Sequence, residues 1–163
     1  NFGDAHLDQV RPGIALFGAY PSDHESESKI APLMPAFNLR ARVVRVERLR
    51  PGDSVSYGRN YVADKPTWTA TIPTGHTDGY PRLAVNGARI LVNDETYPVI
   101  GAVSASHTII EVGTEKKVEI GDVATLVGSG HADIHPNTIA ATTGTSVYDR
   151  LMHLSPVLPK IVV

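Results

Sequence analysis

Val55 to Arg82 reads V-S-Y-G-R-N-Y, a short spacer, P-T-W-T-A-T-I-P, then T-G-H-T-D-G-Y-P-R. Trp68, Ala70 and Ile72 alternate with Thr67, Thr69 and Thr71, the period of a half-buried strand. Ser56-Tyr57-Gly58 sets a phenol beside a glycine, where the backbone bends freely. Beyond the strand, Pro73, Gly75, Asp78, Gly79 and Pro81 force the chain to turn. A tyrosine on a bend ahead of a rigid strand is either a proton-transfer group or an interface aromatic. The residues of this stretch do not choose between the two.

Outward from this stretch the chain keeps the same rhythm. Phe37 to Leu49 is a strand candidate whose apolar phase slips. Leu39, Ala41 and Val43 share one phase, and Val44 and Val46 take the other, the signature of a β-bulge. Arg50-Pro51-Gly52-Asp53 is a turn, and Val55 to Tyr61 follows it. Ala88, Ile90 and Val92 share a face, Asn93-Asp94 turns, and Tyr97 to Val103 returns as a hairpin. Thr108 to Val112, Val118 to Ile120 and Val123 to Val127 are further short strands, the last two around a Gly121-Asp122 turn. Short strands at this spacing, punctuated by Gly and Pro, predict an all-β barrel or sandwich. The end differs: Asn137 is placed to cap a short helix that Gly144 stops, and Val147, Leu151 and Leu154 predict a second helix before Pro156. At the other end, Val10 to Tyr20 reads as a short strand or crossing segment, and Pro21 to Pro35 as a solvated loop.

Composition narrows the function classes. At 163 residues with 42% apolar content the chain is expected to form one domain around a modest core. The net charge of −2, with no basic cluster, gives no reason for a nucleic-acid partner. No apolar run approaches a membrane span. There is no cysteine, so thiolate and disulfide chemistry are excluded, and a reducing, cytoplasmic setting is expected. The chain starts at Asn1 without Met and is expected to be a fragment. His131-Ala-Asp-Ile-His135 is a weak metal motif. Imidazoles four apart share a face only on a helix, and Gly128, Gly130 and Pro136 oppose one. No metal is expected.

V-S-Y-G, the Trp-bearing strand and I-P-x-G-x-x-D-G together resemble the C-terminal β-domain of the alanine racemase family. So do Arg11 to Gly18 (R-P-G-I-A-L-F-G), Pro98 to Ser104 (P-V-I-G-A-V-S), Gly121 to Gly128 (G-D-V-A-T-L-V-G) and Thr145 to Leu151 (T-S-V-Y-D-R-L). The motifs run in the family's order along nearly the whole chain. The resemblance implies a partly open Greek-key β-barrel with short terminal helices. Residues 1–20 would leave a preceding barrel domain, and 21–163 would form the C-terminal β-domain. It implies a pyridoxal-phosphate-dependent amino-acid racemase acting on alanine, a homodimer with its active site at the interface. A lysine outside this chain would hold the cofactor.

By the same resemblance, Tyr57 is the catalytic tyrosine, reaching into the partner's site to exchange the α-proton on one face of the substrate. A free phenol titrates near pH 10, so a tyrosine in that role needs help from its surroundings. Arg11 would donate to the cofactor's pyridine nitrogen, and the backbone N–H groups of Gly13 and Ile14 would hold its phosphate. His76 stands where the family usually has a second tyrosine. Ala105 and Ser106 replace a Met-Asp pair on the substrate side, where the backbone N–H of Ala105 would hold the substrate carboxylate. That departure predicts a broader or shifted substrate range. Pro156-Val157-Leu158-Pro159-Lys160 replaces a family ending with an aromatic hydroxyl against the phosphate. Tyr148 matches a common family tyrosine and is read as packing. The alternative, kept open by the changes at His76, Ala105 and Ser106, is a non-catalytic dimerisation or ligand-binding module of the same fold.

Overall fold

The computed structural model describes residues 7–22 and 31–162. The strands among them are β1 (Leu39–Arg42), β2 (Arg45–Leu49), β3 (Ser54–Val55), β4 (Tyr61–Val62), β5 (Thr67–Ile72), β6 (Arg89–Val92), β7 (Glu95–Ile100), β8 (Thr108–Gly113) and β9 (Val123–Val127). Seven of them form one sheet in the order β1-β9-β6-β7-β8-β5-β2, and β3 and β4 make a separate hairpin. All neighbours are antiparallel. β6, β7 and β8 run as neighbours, with β5 returned beside β8 and β9 beside β6. Each set of four has the Greek-key order.

The two ends of that order, β1 and β2, are separated in the chain only by Val43 and Val44. The Val43 N–H donates to the Asp122 carbonyl (2.9 Å), next to β9. The Val44 N–H donates to the Thr71 carbonyl on β5 (2.9 Å). The sheet must therefore curl until its two edges meet at this corner, giving a barrel closed by the chain rather than by a full ladder. The phase slip at Val43-Val44 is thus a crossing from one sheet edge to the other, not a bulge within one strand. Alternation is reset because the two halves pair with different partners.

The barrel is filled by Ile72, Ile90, Val92, Ile110 and Leu126, all fully buried, with the small Ala70 and Ala124 between them. Each large side chain buried this way is worth about 1.5–3 kcal/mol. β5 is not half-buried as its pattern suggested: Thr67 and Thr69 on its other face are buried too. The β3–β4 hairpin folds back over that face, with Leu49 and Ala63 buried beside it. Asn93 and Asp94 both take positive φ (50° and 63°), as a tight hairpin turn requires, and β6–β7 forms with the return strand at Glu95–Ile100. Val118 to Ile120 is not a strand, although Val118 is fully buried.

The leading segment forms a single 3-10 turn, Ile14–Phe17, rather than a strand. Ile14 and Ala19 pack against Ala140, Val147 and Leu151, on helices α1 (Pro136–Thr142) and α2 (Val147–Met152). Asn137 does not cap α1. The His135 imidazole does, accepting from the Asn137 N–H (3.3 Å), and burial pushes its pKa down toward the neutral form this bond needs. Asn137 instead clasps Tyr20, accepting its N–H (3.0 Å) and donating to its carbonyl (2.8 Å). His131 caps the neighbouring turn by accepting from the Asp133 N–H (3.1 Å). Both imidazoles of the His131–His135 motif are thus engaged as local caps. Among the described residues no group of His, Asp and Glu is arranged to hold a metal ion, and no helix is long and apolar enough to cross a membrane. Tyr148 is 47% exposed, so it is not a packing residue in this domain.

Candidate functional site

The turn at Arg50–Asp53 sends the chain back along the barrel. The Asp53 N–H donates to the Arg50 carbonyl (3.0 Å), and its carboxylate accepts the Arg50 N–H (2.7 Å). β3 and β4 then pair, Ser54 with Val62 and Val55 with Tyr61. At the tip sits Tyr57, 78% exposed, between Ser56 (φ 69°) and Gly58 (φ 71°). Ser56 has ψ 173°, a region that is essentially glycine-only and costs a residue with a side chain about 1–3 kcal/mol. Its hydroxyl is fixed twice to one residue across the site. It donates to the Ala102 carbonyl (3.0 Å) and accepts the Ala102 N–H (2.9 Å). The Gly101 backbone comes close beneath: a Cβ there would lie 2.6 Å from the Ser56 Cβ. Behind the hairpin is an open, polar cleft of about 670 Å³, lined among others by Arg45, Glu47, Ser54, Arg59 and Thr69.

Ala102 opens the loop from β7 to β8. β7 ends at Ile100 opposite Ile109, and β5 ends at Ile72 opposite Thr108, so the following loops leave the same end of the barrel. There they bind each other through backbone. His76 N–H donates to the Ser104 carbonyl (3.0 Å) and Thr77 N–H to that of Ala105 (3.1 Å), which also accepts the Thr77 hydroxyl (2.6 Å). Gly75 allows this approach, since a Cβ on it would overlap the carbonyl oxygens of Ser104 and Ala105. Asp78 turns inward to accept the Gly75 N–H (2.9 Å). The side chains of His76, Ala105, Ser106 and His107 are left exposed. Ser106 and His107 share a hydrogen bond of 2.9 Å between hydroxyl and Nδ1. The Ala105 N–H donates to nothing among the described residues.

Of the residues singled out from sequence, Tyr57, His76, Ala105 and Ser106 thus meet at one end of the barrel. Arg11, Gly13 and Ile14 form a second group on the leading segment. Arg11 is exposed and has no ion pair or hydrogen-bond partner among the described residues. Gly13 precedes the 3-10 turn with φ −100° and ψ −115°, and a Cβ on it would meet open space. Ile14 is buried, and its N–H donates to nothing among the described residues. An exposed, unpartnered guanidinium beside two amides that donate to nothing among the described residues fits an anionic group. Sequence reading passed over Ser56 and Thr77, whose roles depend on loops some 30 to 50 residues away. Their only signal was adjacency to Tyr57 and His76.

The curled antiparallel sheet with its few short helices matches solved alanine racemase structures. It superposes on alanine racemase from the D-cycloserine producer Streptomyces lavendulae with TM-score 0.86 at 29% identity, over 96% of this chain and 41% of that one. Alanine racemase from Bartonella henselae, solved with covalently bound pyridoxal phosphate, matches with TM-score 0.79 at 28% identity, over 90% of this chain and 39% of that one. In sequence, alanine racemase from Carboxydothermus hydrogenoformans is 37% identical over 98% of this chain and 44% of its own length. The chain belongs to the alanine racemase C-terminal domain family, whose sequence profile matches residues 36–162. It spans less than half the length of these relatives.

Proposed function

We propose that this chain is the C-terminal β-domain of a pyridoxal-phosphate-dependent amino-acid racemase that interconverts L- and D-alanine. In this reading residues 1–20 lead out of a lysine-bearing barrel domain, 21–163 form the β-domain, and the enzyme works as a homodimer. The observation that carries the proposal is Tyr57 on an exposed, clamped tip, tied through Ala102 to the loop whose Ala105 amide is free. A group that serves a partner's site has to project from its own domain in this way.

Arg11 would hold the cofactor's pyridine nitrogen, and the Gly13 and Ile14 amides its phosphate. A guanidinium does not give up its proton, so the nitrogen it holds stays unprotonated. Pyridoxal phosphate, when bound, supplies the electron sink that makes a substrate Cα proton removable. Tyr57 would take up that proton as the phenolate in one direction and return one as the phenol in the other, at its phenolic oxygen and on one face only. The Ala105 N–H anchors the substrate carboxylate. Ala105 and Ser106 leave more room and less charge beside the substrate than a Met-Asp pair, which extends the range to amino acids larger than alanine. Without a lysine-bearing partner domain, this chain alone is inactive.

The test is racemisation by the full-length protein with pyridoxal phosphate. We expect kcat/KM to be highest for alanine, with measurable turnover of serine, since an extra or missing small group is worth about 1–3 kcal/mol. No turnover of any amino acid by a folded, cofactor-loaded protein would favour the non-catalytic module instead.

A further inference from the structure

Ser56 is the most strained residue beside Tyr57, with φ 69° and ψ 173°. Nothing in the hairpin itself demands a side chain there, and glycine would take that conformation freely. A side chain kept where glycine would be easier must do something glycine cannot. Here it makes both hydrogen bonds that join the hairpin tip to Ala102. Gly101 has no side chain where one would strike the Ser56 Cβ, so the two segments are shaped for this contact from both sides. Ala102 in turn begins the loop that carries Ser104 and Ala105, which hold the His76 turn by backbone hydrogen bonds.

We propose that Ser56 is a positioning residue for Tyr57. Its hydroxyl locks the tyrosine tip to the loop bearing the substrate-carboxylate amide, so that the phenol and that amide keep a fixed separation. The proposal rests on the proton-transfer reading of Tyr57. Ser56 itself touches neither substrate nor cofactor in this scheme. It acts by removing the freedom of a tip that has Gly58 on its other side.

The informative variant is Ser56→Gly in the full-length enzyme, because it relieves the strain and deletes both hydrogen bonds. We expect kcat to fall about 10–100-fold, the cost of misplacing a reacting group by about an ångström, with KM nearly unchanged. The unfolding midpoint should stay equal or rise, while amide hydrogen exchange in peptides covering residues 56–60 and 101–103 speeds up. In the Tyr57→Phe background, Ser56→Gly should cause no further loss of racemisation in either direction, since Tyr57 serves one direction as base and the other as acid. A Ser56→Gly enzyme with normal kcat, beside a Tyr57→Phe enzyme that is impaired, overturns the positioning role alone. Additive losses in the double variant overturn it as well. A Tyr57→Phe enzyme with normal rates overturns the catalytic reading beneath it.

Discussion

At one end of the barrel, Glu95 lies between Lys117 (2.9 Å) and the Tyr97 hydroxyl (3.0 Å), and Asn93 donates to Asp122 (2.7 Å). Lys116 pairs with Glu119 (2.6 Å) and sits 5.8 Å from the Trp68 ring. At the other end, the hairpin tip, the His76 turn and the Gly101–His107 loop are joined by main-chain hydrogen bonds and the Ser56 clasp. The first end spends its charged side chains on holding its own turns. The second holds its loops mainly by backbone, close-approaching glycines and the short Thr77 and Asp78 side chains, and so leaves the side chains of Tyr57, His76, Ala105 and Ser106 exposed. An end built to act on something else has to be organised in the second way.

The sharpest way to break this contrast is at Gly75. Its φ of −136° is ordinary, so Gly75→Ala tests crowding against Ser104 and Ala105 and not backbone conformation. The loops must separate, and we expect a stability loss of about 1–3 kcal/mol, the usual cost of overpacking, measured by urea unfolding. An unchanged midpoint would mean that these loops do not support each other.

The first end should respond far less. Lys117→Met removes an exposed pair, and such pairs contribute little. Lys117 first, and then the Tyr97 hydroxyl, hold the Glu95 carboxyl below its usual range. A depressed carboxyl contributes stability above the ordinary carboxylate pKa and loses it as pH falls through the folded value. The small difference between wild type and Lys117→Met should therefore be present at neutral pH, shrink in acid and shrink in high salt. A large loss that persists at low pH would contradict the contrast.

The same contrast explains what could be read from the chain. Asn93-Asp94, Arg50–Asp53 and the β5 alternation are local, and each produced a real turn or strand. The Val43-Val44 slip was visible too, but a bulge and an edge-to-edge crossing leave the same local trace, and only the pairing with Asp122 and Thr71 separates them. Burial of Thr67 and Thr69 depends on a hairpin folding back over them. Tyr57 was legible as a tyrosine on a bend. Its attachment was not, because Ser56 and Ala102 are 46 residues apart. The pairing of His76 with Ser104 and of Thr77 with Ala105 was hidden for the same reason.

The central claim is that Tyr57 moves a proton at one face of the substrate. It is tested most directly with Tyr57→Phe in the full-length enzyme, following racemisation in both directions and solvent-deuterium incorporation at Cα of unreacted substrate. The account predicts that racemisation falls about 10²–10⁴-fold, while deuterium still enters at normal rate from the one enantiomer whose proton Tyr57 does not handle. Wild-type racemisation in both directions would show that Tyr57 is an interface aromatic and that the claim is wrong.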